Sequence, residues 1–122
     1  MLLTGLTYKF LKEFVFGLWL TLPMLLTLGL LITFIGQLVG RKEGWSRFDS
    51  FYWAFVTGTT VGYGDLRPQQ RASRLLSILI ALLGLTFTGI LIAVAVHAAN
   101  LALAAHDAAS AYRQTSERRP ML

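Results

Sequence analysis

The residues of this chain whose types and spacing could do chemistry are Thr60-Val61-Gly62-Tyr63-Gly64, followed by Asp65. What they offer is backbone chemistry. A monovalent cation stripped of its water needs a full shell of oxygen ligands, and one strand can supply them if successive carbonyls point the same way. Ordinary strand dihedrals alternate carbonyl direction, so every second residue has to adopt φ > 0, which glycine does without steric cost. Gly62 and Gly64 alternate with Val61 and Tyr63, and Thr60 adds a hydroxyl oxygen at the inner end. A single strand cannot encircle an ion, whereas four around an axis can. The chemistry therefore predicts a cyclic tetramer.

Such a strand has to be held by other elements, and the composition says what they are. The chain has 122 residues, 55% of them apolar. The apolar residues collect into two long uncharged runs, 14–40 and 75–106. Crossing the hydrocarbon core takes about 20 helical residues, and both runs exceed that. A soluble core is excluded, because the chain is too small to surround two such buried helices. The first run is also far longer than the ~7–15 residues of a signal-peptide core, and no small-x-small cleavage site follows it. With no cysteine, disulfides and thiolate metal sites are excluded.

The predicted fold class is all-α and membrane-embedded, with two transmembrane helices and a re-entrant half-crossing between them. Residues 1–13 are amphipathic, Tyr8, Phe10 and Leu11 lying among Lys9, Lys12 and Glu13. They form either a short interfacial helix or the first turns of the outer helix. The outer helix spans 14–39, with Pro23 as a candidate kink. Gly40 to Gly44 is a polar turn. A short helix over 46–59 follows, with Ser46 or Asp49 available to cap it. Residues 60–65 are the strand described above, the inner helix spans 72–109, and 110–122 are a charged tail. Non-helical backbone at membrane depth is tolerated only where protein buries it or where it lines a water-filled path. The order helix, half-helix, glycine-rich strand, helix thus implies a pore or a binding site.

The stretch Tyr52-Trp53-Ala54-Phe55-Val56-Thr57-Gly58-Thr59-Thr60-Val61-Gly62-Tyr63-Gly64-Asp65 resembles the pore loop of the two-transmembrane-helix potassium channel family. The resemblance covers roughly residues 14–105 and is specific across the pore loop. It implies a homotetrameric ion channel pore domain over 14–109 that conducts K+ passively through a filter of backbone carbonyls. By this resemblance Thr60, Val61, Gly62 and Tyr63 are the ion-coordinating positions, and Gly64 completes the turn to the outer mouth. Asp65 is the acidic residue behind the filter. Its implied partner is Tyr52, whose O–H would donate to it, with Trp53 packing near Tyr63. The glutamate that some bacterial relatives place in the pore helix is matched here by Val56, so no buried carboxyl pair is expected.

The family's proposed hinge glycine, about twenty residues beyond the filter, is matched by Gly84, with Gly89 as a second gating candidate. Close helix packing by a small residue is the equal alternative for Gly84. Gly36 and Gly40 form a Gly-x-x-x-Gly at the end of the outer helix. His97 and Asn100 share one face of the inner helix. They would form a polar ring at a gate, where histidine could sense pH, or make an inter-subunit hydrogen bond, or sit at an interfacial position.

The resemblance also implies a cell-membrane protein with both termini cytoplasmic and the Asp65 end of the filter outside. Counting basic residues gives the opposite orientation. Arg41, Lys42, Arg47, Arg67, Arg71 and Arg74 lie in the central loops, more than in either tail, and the positive-inside rule would place them in the cytoplasm. The partners implied are further copies of the chain and membrane lipids. The net charge of +5 comes with no nucleic-acid motif. The absence of a metal-ligand cluster, nucleophile–base pair or phosphate loop argues against an enzyme, and no organic cofactor is expected. Two other readings remain open: a non-selective cation channel on the same scaffold, and a non-conducting accessory subunit.

Overall fold

The computed structural model describes residues 1–119. It contains three helices: α1 (Leu2–Glu43), α2 (Arg47–Gly58) and α3 (Arg71–Glu117). α1 and α3 are each long and apolar enough to cross a membrane. No β-strand occurs among the described residues, and the expected strand 60–65 is a single run of non-helical backbone without ladder partners. This is the all-helical architecture with two spanning helices that the hydropathy pattern predicts.

The boundaries differ from the expected ones at both ends. The amphipathic segment 1–13 is the opening of α1, and 40–43 are its last turn, so the polar turn begins only at Gly44, whose φ is +74°. α3 absorbs most of the expected tail and continues to Glu117. Residues 102–111 carry six alanines and no breaker, so helix propensity extends the rod until the sequence approaches Pro120. Residues 120–122 of the predicted tail lie outside the described part. α2 is one residue shorter at each end than expected. Its N-cap is Ser46, whose side chain accepts a hydrogen bond from the Asp49 N–H at 3.1 Å.

The chain divides into two compact units. One comprises 21–91 and holds the core: Ile32, Ile35 and Val39 of α1, Trp53 and Ala54 of α2, and Ile80 of α3. Burying each large aliphatic side chain is worth roughly 1.5–3 kcal/mol. Trp45 packs against Trp53 with the rings tilted at 60° and 5.2 Å between centroids, and Phe55 meets Phe87 edge-on at 6.3 Å. The Gly36-x-x-x-Gly40 pair has a clear task here. A Cβ on Gly36 would run into Ala54 Cβ and crowd the Ser50 carbonyl, and one on Gly40 would overlap Ser50. Small residues on α1 thus admit small residues of α2 at backbone distance.

The same unit is fastened where α1 ends and α3 begins. Glu43 at the end of α1 accepts the backbone N–H groups of Gln69 (3.1 Å) and Gln70 (3.0 Å), just ahead of α3. The Gln70 side-chain amide donates in return to the Lys42 carbonyl at 2.7 Å. One carboxylate therefore satisfies orphan donors at the start of α3, while a glutamine satisfies an orphan acceptor at the end of α1.

The other unit pairs residues 1–20 with α3 from residue 92 onward. Val94, Ala98 and Ala102 are buried at a spacing of four, and Gly17 sits where a Cβ would come within 2.8 Å of Val94 Cγ1. Away from these seams the helices present large apolar side chains. Leu30 is 69% exposed, Phe34 63% and Leu75 68%. A surface of that character belongs in lipid or against further protein, not in water.

Candidate functional site

α2 delivers the chain to Thr59, its C-cap, whose backbone N–H donates to the Phe55 carbonyl at 2.9 Å, while the Thr60 N–H donates to the Thr57 carbonyl at 3.2 Å. The next residues are non-helical. Thr60 has φ +65°, Gly62 +57° and Gly64 +79°, with Val61 and Tyr63 between them on the ordinary side. The left-handed residues alternate as carbonyl alignment requires. Gly62 and Gly64 were predicted to take this role and do. Thr60 was not, and for a β-branched residue a positive φ is an outlier that costs of order 1–3 kcal/mol.

Two contacts not foreseen from sequence hold this strand. The Gly62 N–H donates to the Val56 carbonyl at 3.1 Å, tying the middle of the strand to the last turn of α2. At the outer end the Arg67 guanidinium donates through Nε to the Gly64 carbonyl at 3.0 Å. Nothing in the residue types signals either bond, because both depend on how the chain doubles back after α2. Val56 thus contributes its backbone carbonyl to holding residues 60–64.

The support residues fall out as follows. The Tyr52 phenol lies beside Asp65. Its polar neighbours are the Asp65 carboxylate and Tyr63. Trp53 is buried, and its ring partner within the chain is Trp45 rather than Tyr63. Val61 is 53% exposed and Tyr63 71%, so a single chain leaves the strand's apolar side chains uncovered.

The gating candidates separate. Gly84 is buried against the end of α2, and a Cβ there would penetrate the Gly58 backbone. That is the close-packing alternative in concrete form. Gly89 has nothing within 4 Å of a would-be Cβ. His97 and Asn100 are exposed, away from the buried stripe of Val94, Ala98 and Ala102.

Comparison with known proteins agrees with this geometry. The chain belongs to the ion channel family, whose model matches residues 2–100. Within that family its pore is of the two-helix potassium channel type. It is 43% identical over 70 residues to the TWiK family of potassium channels protein 7 of Caenorhabditis elegans, covering 55% of this chain and 13% of that protein. It is 40% identical over 70 residues to two-pore potassium channel 1 of Arabidopsis thaliana, covering 56% and 19%. It is 34% identical over 76 residues to the putative potassium channel protein YugO of Bacillus subtilis, covering 57% and 23%. The matched region thus spans less than a quarter of the length of each of these relatives. No solved structure matches the chain.

Proposed function

We propose that the chain is one subunit of a homotetrameric, potassium-selective channel of the cell membrane. Four copies of the 60–64 strand surround an axis, and K+ moves passively between rings of carbonyls from Thr60, Val61, Gly62 and Tyr63, with Gly64 shaping the outer mouth. The observation that carries this reading is the alternation of positive φ at residues 60, 62 and 64, since only that alternation aligns consecutive carbonyls. The potassium channel names of the relatives supply the ion. The uncovered Val61 and Tyr63 supply the reason for more than one copy.

In this reading the pore domain is 14–109, flanked by a cytoplasmic lead and tail. The end of α2 points its partial negative charge at the inner side of the filter and favours a cation there. Tyr52 and Asp65 brace the filter from behind. His97 and Asn100, on the exposed face of α3, meet their counterparts of other subunits where the inner helices converge. Both termini are cytoplasmic, against the basic-residue count of the central loops. Cysteine accessibility at residues 42 and 113 from each side of the membrane tests that orientation.

The functional test is ion flux from liposomes holding the purified chain. Potassium should cross far faster than sodium. Equal fluxes would assign a non-selective cation channel. The absence of flux, together with the absence of a cross-linked tetramer, would assign an accessory subunit.

A further inference from the structure

Beyond residue 92, α3 buries one seam, Val94, Ala98 and Ala102, and leaves the rest of its circumference open. The open part has two characters. Ile92, Val96 and Leu103 are bulky, apolar and at least half exposed. Ala93, His97, Asn100 and Ala104 are exposed as well, but they are small or polar. Their spacing of four, three and four residues puts them on a single face of the helix. Neither the His97 imidazole nor the Asn100 amide has a hydrogen-bond or ion-pair partner among the described residues.

Depth decides what that face meets. The uncharged run ends at residue 106, so His97 lies roughly 13 Å of helix inside it and Asn100 roughly 9 Å. An imidazole turned to lipid there would lose its water and gain nothing in return, whereas one turned to an aqueous path keeps it. The small and polar face is therefore the one that meets water, and the bulky face meets lipid or a neighbouring copy.

Fourfold symmetry then turns one histidine into a ligand set. Each residue of the water-facing side recurs in three further copies at the same height. Four imidazoles stand in one plane, each offering a ring nitrogen toward the axis. Coplanar nitrogens suit Ni2+ and Cu2+, while Zn2+ prefers a tetrahedron, which four ligands related by a fourfold axis cannot form. Hard, oxygen-seeking cations gain little from such a ring. The Asn100 amides, roughly 4.5 Å further along the helix, stand where they can hydrogen-bond a water on the open axial position of the metal. A divalent ion fixed there both fills the path and repels a monovalent cation.

We propose that His97 of four copies forms a planar site for Ni2+ or Cu2+ in the ion path, and that its occupancy stops K+ movement. The site rests on the reading of the chain as a homotetrameric channel and is incomplete in one copy.

The experiment uses the chain without a histidine tag, which would bind the same ions. Native mass spectrometry of the detergent-solubilised protein titrated with Ni2+ should show one ion per four chains. Ni2+ should also suppress potassium flux in liposomes, at a lower concentration than Zn2+. His97→Gln should remove the bound ion and raise the blocking concentration by more than about a hundredfold, since losing a group that merely orients a metal ligand already costs about 10–100-fold. His106→Gln, at the other histidine of the chain, should keep both properties. A measurement on the wild type covers the case in which His97→Gln does not assemble: the electron paramagnetic resonance of bound Cu2+ should show four equivalent nitrogens. One Ni2+ per chain, block that survives His97→Gln, or a Cu2+ spectrum with fewer nitrogens would overturn the ring. Block by Zn2+ at the same or lower concentration would overturn the planar geometry. A tetramer that conducts K+ yet ignores Ni2+ refutes this site and leaves the channel standing, whereas a chain that neither assembles nor conducts refutes both.

Discussion

Replacing Gly84 by alanine separates two accounts of the inner helix by the sign of a stability change. If Gly84 is a free hinge, alanine removes flexibility and adds helix propensity, which stabilises by roughly 0.5–1 kcal/mol. The structure gives a different expectation. The new Cβ would enter the backbone of Gly58, and a backbone cannot rotate aside as a side chain can. α3 must then move away from α2, and overpacking of this kind costs about 1–3 kcal/mol. Subtracting the propensity gain leaves a net destabilisation of up to about 2.5 kcal/mol. Because Gly58 is the last residue of α2 and Thr60 follows two positions later, the shift should also reach the filter and lower potassium over sodium flux. The assay is thermal unfolding of the assembled protein in detergent beside ion flux in liposomes. Gly89→Ala serves as the internal control, since its Cβ meets nothing within 4 Å and only the propensity gain should appear. A Gly84→Ala protein at least as stable as the wild type, with unchanged selectivity, would refute the packing argument.

Other perturbations test the remaining parts of the site. Gly62→Ala has room for its methyl, since nothing lies within 4 Å, so its cost of about 1–2 kcal/mol is purely that of a left-handed φ, and flux should be lost while the tetramer persists on cross-linking. Tyr52→Phe removes the phenol beside Asp65, and flux should decay several-fold faster when external potassium is lowered; unchanged decay would sink the bracing role. Glu43 lies past the uncharged run, and hydrogen bonds from the Gln70 and Gln69 backbone hold its carboxyl below the ordinary 4.5. The anion is therefore the form that fastens α1 to α3, its contribution is present above the unfolded pKa, and it is lost as pH falls through the lowered folded value. The protection factors of the Gln69 and Gln70 amides, taken against their intrinsic exchange rates at each pH, should fall on acidification below that range and in Glu43→Gln at neutral pH.

Much of this molecule was legible in one dimension because its strongest signals are local. Uncharged runs longer than a bilayer crossing specify spanning helices whatever their neighbours do. Alternating glycines specify where the backbone can turn left-handed, and Gly62 and Gly64 do so. Residue type narrowed the α2 cap to Ser46 or Asp49, and the structure has Ser46. What sequence misplaced were the ends of the long helices, because propensity carries alanine-rich and amphipathic flanks past the point where hydropathy falls.

Tertiary structure alone decided the rest. Thr60 takes a positive φ that its own type disfavours, and it does so between the anchored end of α2 and the Gly62 N–H bond to Val56. Gly84 could be hinge or contact by spacing, and only the approach of the Gly58 backbone chooses contact. Arg67 on the Gly64 carbonyl and Glu43 on the start of α3 are pairings of exposed polar groups across turns or between helices. Period and propensity carry no information about such partners, because their free energy comes from a geometry that exists only after the helices have packed.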